Sequence, residues 1–146
     1  MTRPMTRRAL LAVAPAAALP IAATALPALT SSAAGDPIVP LYHEWLAARA
    51  EWNRLARMPG NEEWKWPESL AAEDREEEAL RQIAALVPAS REGLAAVAHL
   101  LWSEVGPSHV ETSPEYQKQC AEPASMMIAA LWRLATGLDG TPPAPK

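Results

Sequence analysis

Only one cysteine, Cys120, occurs in the 146 residues, and phenylalanine is absent. A single thiol closes no internal disulfide, and a c-type haem, which needs Cys-x-x-Cys-His, has no attachment point. A lipoprotein anchor is excluded too, because it requires a cysteine at the cleavage site. Cations are scarce as well: 13 Lys and Arg stand against 17 Asp and Glu, a net charge of −4. An acidic chain repels phosphate backbones, so no nucleic-acid partner is expected. The apolar–polar alternation of strands is missing throughout. Uninterrupted apolar runs are missing also. The apolar, alanine-rich run that reaches Leu29 is cut by Pro15, Pro20 and Pro27. A membrane-spanning helix needs about 20 predominantly apolar residues in regular helix. No permanent membrane span is expected.

That same run carries the clearest signal in the chain. Arg7 and Arg8 precede it, giving the charged and apolar regions of an export leader. Thr6-Arg7-Arg8-Ala9-Leu10-Leu11 resembles the twin-arginine (Tat-type) leader, in which Ser/Thr-Arg-Arg-x precedes two apolar residues. Ala12 replaces the lysine often found next. Small-x-small cleavage sites occur at Ala23-Thr24-Ala25 and Ser32-Ala33-Ala34, and cleavage after Ala34 fits best, since Gly35-Asp36-Pro37 opens a polar segment. The resemblance implies a periplasmic or otherwise exported protein. The alternative is a cytoplasmic protein whose arginine-rich N-terminus only imitates a leader. Residues 1–34 are thus the expected leader, 35–140 a helical domain and 141–146 a disordered tail.

Removing 34 residues leaves 112, enough for one domain. The leader holds three arginines and no acid, so ten cations against seventeen acids leave the remainder at −7. Arginine outnumbers lysine ten to three and six tryptophans are present, which reads as the base composition of a GC-rich gene. Caps and stops mark out the helices. The first runs from Asp36, a candidate N-cap, or from Pro40, to Arg57, with Ile38, Leu41, Trp45, Ala48, Trp52 and Leu55 as its apolar seam. Met58-Pro59-Gly60 ends it.

The second helix is expected from Glu68 to about Val87, with Ala72, Ala79, Leu80, Ile83, Leu86 and Val87 inward. Its acids crowd the first half, where the helix dipole favours them. Ser90 caps a third helix reaching Val105, with Leu94, Val97, Ala98, Leu101 and Val105 on the inner face. A short turn covers Glu115 to Cys120. A last helix spans Pro123 to Thr136, with Met127, Ala130, Leu131 and Leu134 in its core face and Gly137 as C-cap. Thr141 to Lys146 is too proline-rich and polar to fold. The fold class expected is all-α: an antiparallel helical hairpin with two shorter helices packed on it.

Over Asp36 to Gly137 this layout resembles a type of small bacterial helical-hairpin protein. Its third helix opens with a Pro-x-Ser/Thr-x-x-Gly-Leu turn, here Pro88-Ala89-Ser90-Arg91-Glu92-Gly93-Leu94. The resemblance implies a shape and no activity.

Catalytic signatures fail on named residues. His43-Glu44-Trp45-Leu46-Ala47 lacks the second histidine of His-Glu-x-x-His. Pro40, Ala96 and Gly106 stand where Glu-x-x-His would need glutamate. No serine lies in a Gly-x-Ser-x-Gly elbow. A looser enzyme or metal- or cofactor-carrying site from His99, His109 and Cys120, with Glu104 or Glu111 nearby, is the alternative from another class. No catalytic residue, metal ligand or cofactor is assigned. The candidate interaction surface is Trp64-Lys65-Trp66, since tryptophan is enriched at interface hot spots. The structural alternative is that both indoles fold back on the third or fourth helix, near Trp102 or Trp132. The leading expectation is a non-enzymatic interaction module of the cell envelope, binding a protein partner or a second copy of itself.

Overall fold

The computed structural model describes residues 35–144. The expected leader positions Arg7, Arg8 and Ala34 lie outside the described residues. The fold is all-α, with no strand among the described residues. Five helices follow one another: α1 (Ile38–Ala56), α2 (Pro67–Ala84), α3 (Arg91–Val105), α4 (Pro114–Cys120) and α5 (Pro123–Thr136). The expected turn at Glu115 to Cys120 is therefore a two-turn helix, capped by the Ser113 hydroxyl, which accepts from Tyr116 N–H. No helix among the described residues is long and apolar enough to cross a membrane.

α1 and α2 pair as an antiparallel hairpin. The end of α1 meets the start of α2, where Asn61 Nδ2 donates to Leu55 O and to Ser69 Oγ, and the start of α1 meets the segment after α2, where Asp36 accepts from Ala89 N–H. Between these ends Arg49 reaches Glu76 at 2.5 Å and Arg75 reaches Glu44 at 3.4 Å. The seam of α1 is as the sequence implies: Ile38, Trp45, Ala48 and Leu55 are buried. Ile38 and Trp45 meet Ala79 and Ile83 of α2 and Ala96 and Leu100 of α3 in one core. Burying side chains of the Ile or Leu class is worth about 1.5–3 kcal/mol each. α5 packs against α3, where Trp102, Ile128 and Ala129 form a second core closed by Tyr116 and Cys120 of α4.

One carboxylate ties the start of the hairpin to its far end. Asp36 does not occupy the formal cap position, which is Pro37, but its Oδ1 accepts from Ile38 N–H at 3.0 Å. Its Oδ2 accepts from the N–H groups of Ala89 and Ser90 at 2.9 and 2.8 Å, and from the Ser90 hydroxyl at 2.7 Å. Ser90 Oγ in turn accepts from Gly93 N–H at 2.9 Å, capping α3. Gly93 is there for space: a Cβ built on it would overlap the Asp36 carboxylate. The Pro88–Leu94 turn thus contains the receptor for Asp36.

Four expectations need correction. α2 stops at Ala84, three residues short of Val87, because a residue before proline is forced out of helical geometry. Val87 is 84% exposed and Leu86 is also exposed. The inner face of α3 is Gly93, Ala96, Ala98, His99, Leu100 and Trp102, while Leu101 and Val105 are exposed. α3 is packed on two sides, so no single stripe describes it. On α5 the inward residues are Ser125, Ile128, Ala129 and Ala135; Met127, Ala130, Leu131 and Leu134 face out. Apolar residues surround α5, and its small side chains are the ones that admit Trp102. Finally, the segment expected to be a disordered tail follows a defined course over its described part: Pro142 is buried, and Pro143 O lies 2.8 Å from His99 Nε2.

Burial pushes the Asp36 carboxyl up, but the Ser90 hydroxyl and the N–H groups of Ile38, Ala89 and Ser90 outweigh it and hold it below its ordinary value of 3.8. The folded state therefore binds this proton more weakly than the unfolded chain. The resulting stability is complete above pH 3.8 and is lost as pH falls through the lower folded value. Urea denaturation at pH 7 should show Asp36→Ala destabilised by about 3 kcal/mol, since buried donors lose their acceptor. Gly93→Ala should also be destabilised, and Asp36→Asn should flatten the acid limb.

Candidate functional site

The loop that carries the candidate surface is organised by Asn61, a buried residue. Its Nδ2 donates to Leu55 O at 3.0 Å and to Ser69 Oγ at 2.8 Å, and its Oδ1 accepts from Trp66 N–H at 3.2 Å. Trp66 Nε1 donates to Gly60 O at 2.9 Å, folding that indole over the turn. Trp64 adopts φ 57°, a left-handed conformation costly for a side chain with a Cβ. Its ring lies 5.9 Å from that of Trp52 on α1. Both indoles fold back locally, not onto the third or fourth helix, and Trp64 stays 52% exposed. Asn61 gave no cue in the sequence beyond its polarity in a loop.

The metal or cofactor candidates are not brought together. His99 is buried at 4% exposure in α3, within an aromatic shell of Tyr42, Trp45 and Trp132. Pro143 O can only accept, so His99 Nε2 carries the hydrogen. Nδ1 then accepts from the Tyr42 hydroxyl at 2.5 Å. This uses both ring nitrogens of a neutral imidazole. His109 is exposed and its Nδ1 meets Gln119 Oε1 at 3.1 Å; Cys120 is half-buried on α4 beside Tyr116. Glu104 faces Arg49, at 3.6 Å. Among the described residues no three His, Cys, Asp or Glu side chains are grouped to hold a metal ion.

A cleft of about 400 Å³ opens beside Arg49 and Trp52, bordered by Glu73, Glu76, Glu77 and Glu104. Arg49 is held there by Glu76 and by the face of Trp45, 4.7 Å from its ring centre. The cleft is an ion-paired surface at the junction of three helices.

A larger apolar surface lies elsewhere, and the sequence reading placed it inside. Met127 is 63% exposed and Leu134 67%, with Leu131 between them on α5. Val105 is 62% exposed and Leu101 is partly exposed on α3. A groove of about 190 Å³ between α2 and α3, lined by Leu80, Ile83, Leu86, Val97 and Leu101, continues it. These residues can hold no cofactor by coordination. They can exclude water against another apolar surface.

Comparison with protein-family models, with curated proteins and with solved structures finds no match.

Burial drives the His99 pKa down, the Pro143 carbonyl partly restores it and the Arg49 charge lowers it again, leaving it below 6.5. The unfolded chain therefore takes up a proton that the folded one refuses. This contribution to stability is present above the unfolded value of 6.5 and is lost as pH falls through the lower folded value. Thermal melts of wild type should drop progressively below that pH, and His99→Gln should lose this part of the dependence. In the loop, Trp64→Ala should cost about 1 kcal/mol at neutral pH through loss of the Trp52 contact, read by urea denaturation.

Proposed function

We propose that this chain is a non-enzymatic helical interaction module that is exported and works in the cell envelope. The observation that carries the reading is the apolar surface formed by Leu101, Val105, Met127, Leu131 and Leu134, with its adjoining groove, which Glu104 borders. Side chains of this size left against water are costly unless a partner covers them, and contiguous patches of this kind mark interaction sites. The half-exposed Trp64, braced by Trp52, offers a second anchor at the hairpin tip. Both hydrogen-bonding positions of His99 serve to hold Tyr42 and Pro143, which supports a structural role for that residue over a catalytic one. Export rests on Arg7, Arg8 and the small residues ending at Ala34.

Fractionation of cells making a C-terminally tagged chain tests the address. Wild type should be recovered outside the cytoplasm, and Arg7→Lys/Arg8→Lys should be retained inside. Retention of wild type in the cytosol removes the export reading. Cross-linking in intact cells, followed by purification through the tag, tests the interaction. Adducts of defined mass should form with wild type, and they should be lost in Val105→Glu or in Trp64→Ala/Trp66→Ala, according to which surface is used. Absence of any adduct with wild type refutes the interaction module.

A further inference from the structure

The apolar surface on α3 and α5 has a specific geometry. His99 lies beside Trp132, their ring centres 6.3 Å apart, while Trp102 packs with Ile128 and Ala129. Rising numbers on α3 meet falling numbers on α5, so the two helices are antiparallel. At about 100° per residue, Leu101 and Val105 lie on one side of the line joining the helices and His99 on the other. The side of His99 is covered by Tyr42 and Trp45 of α1 and by Pro143. The same arithmetic on α5 turns Leu131 to the side of Leu101, with Met127 and Leu134 continuing outward from it. The exposures agree: Leu101 and Leu131, neighbours across the helix pair, are less exposed than Val105, Met127 and Leu134 at the edges.

We infer that this face is the contact between two copies of the chain, paired about a two-fold axis with α5 against α5. The inference rests on the interaction reading and names its partner. Three features favour a second copy. Met127, Leu131 and Leu134 repeat at spacings of four and three, the seam of paired helices, so the stripe is complementary to itself. The α5 stripe carries no charge: Arg133, the one charged residue between Pro123 and Thr136, lies on the opposite side of α5 by helical spacing, and Glu104, which borders the groove beside α3, is turned to Arg49 at 3.6 Å. Two copies of a chain of net charge −4 repel over most of their surfaces, and this flank is where they meet without bringing carboxylates together. Size fits as well. The five side chains offer on the order of 500 Å², near the upper range of a monomer's largest patch. Two such faces and part of the adjoining groove approach the ~1,200 Å² at which specific interfaces begin.

Sedimentation equilibrium of the full 146-residue chain decides it. Wild type should behave as a reversible dimer in the micromolar range. Leu134→Glu should weaken the dimer by about 100-fold, because the axis sets like charges against each other. Leu134→Lys should weaken it likewise, and an equimolar mixture of the two variants should restore dimers, a result that a mere folding defect does not produce. Far-UV circular dichroism should be unchanged, since Leu134 is exposed. Wild type that stays monomeric to about 200 µM, well above dissociation constants typical of specific pairs, overturns the dimer. That result covers the case in which the chain's own N-terminal segment occupies the face. It leaves the interaction module to the cross-linking experiment, where adducts with another protein remain detectable. A wild-type dimer indifferent to Leu134→Glu and to Met127→Glu places the contact elsewhere and also overturns the inference.

Discussion

The Asp36 carboxylate is the constraint on which the rest of the bundle depends. It stands at the entrance to α1 yet bonds most strongly to the turn before α3, more than 50 residues on. A helix start leaves N–H groups without partners, and here the carboxylate serves Ile38 at the start of α1 and holds Ser90, whose hydroxyl serves the start of α3. Because it is buried, each unmade bond would cost the desolvation of a donor as well as the bond itself. The positions of α1 and α3 relative to one another follow. Ile38 and Trp45 can meet Ala96 and Leu100 only when the turn from Pro88 to Leu94 is held against the beginning of α1. Gly93 is the matching concession on the receiving side, an element that leaves out its Cβ so that a charge fits.

A second polar contact closes the bundle at its other joint. The neutral His99 sits between Tyr42 of α1 and the carbonyl of Pro143, with Trp45 and Trp132 as walls. Trp45 is fully buried and its Nε1 finds no partner among the described residues, so this part of the core keeps one indole N–H unsatisfied beside the stack on Tyr42 and the edge-on contact with His99. Arg49, over the outer face of the same indole, brings its charge near His99 and opposes a second positive charge there. Burial and Arg49 both favour the uncharged tautomer that the two hydrogen bonds require. The C-terminal segment is thereby held by His99 of α3, itself braced by Tyr42 of α1, although its own composition is proline-rich.

The sequence made the class of fold legible and misjudged which faces would be covered. The seam of α1 reads directly because one narrow stripe with polar flanks has a single way to be buried. Ser90 and Ser113 read directly as caps because each precedes the helix whose third N–H it binds. Asp36 reads only in part. A local cap is visible in one sequence, whereas its bond to Ser90 is a long-range contact that periodicity does not encode. α3 and α5 were misread for a common reason. Large apolar residues were ranked inside ahead of small ones, but the approach of two helices is limited by side-chain volume. Trp102 packs with Ile128 and Ala129, and not with the leucines of α5. His99 reads from sequence as a candidate ligand, whereas an imidazole bonded at both nitrogens is well suited to an interior. Trp64 to Trp66 lie between α1 and α2, outside both helices, as the sequence implies. Their support by Asn61 and Trp52 depends on the closure of the hairpin, which the linear order does not specify.

That inversion on α5, small residues in and large ones out, is the observation on which the proposed interaction rests. A helix chosen only to complete this core would carry polar residues where Met127, Leu131 and Leu134 stand, as α2 does with Glu73, Glu77 and Arg81. Amphipathic patterning normally leaves one face wet. Here the face away from Trp102 is apolar and uncharged, and it continues into Leu101 and Val105 of the neighbouring helix. Such a surface is stable in isolation only at the cost of ordered water along its length. Its spacing matches the seam of a helix pair, its charge is absent where the remainder of the chain is acidic, and its extent is that of a modest interface. The hairpin and its two polar ties therefore act as a rigid back for α3 and α5. By fixing that pair from one side with Tyr42, Trp45 and Pro143, they leave the opposite side apolar and exposed.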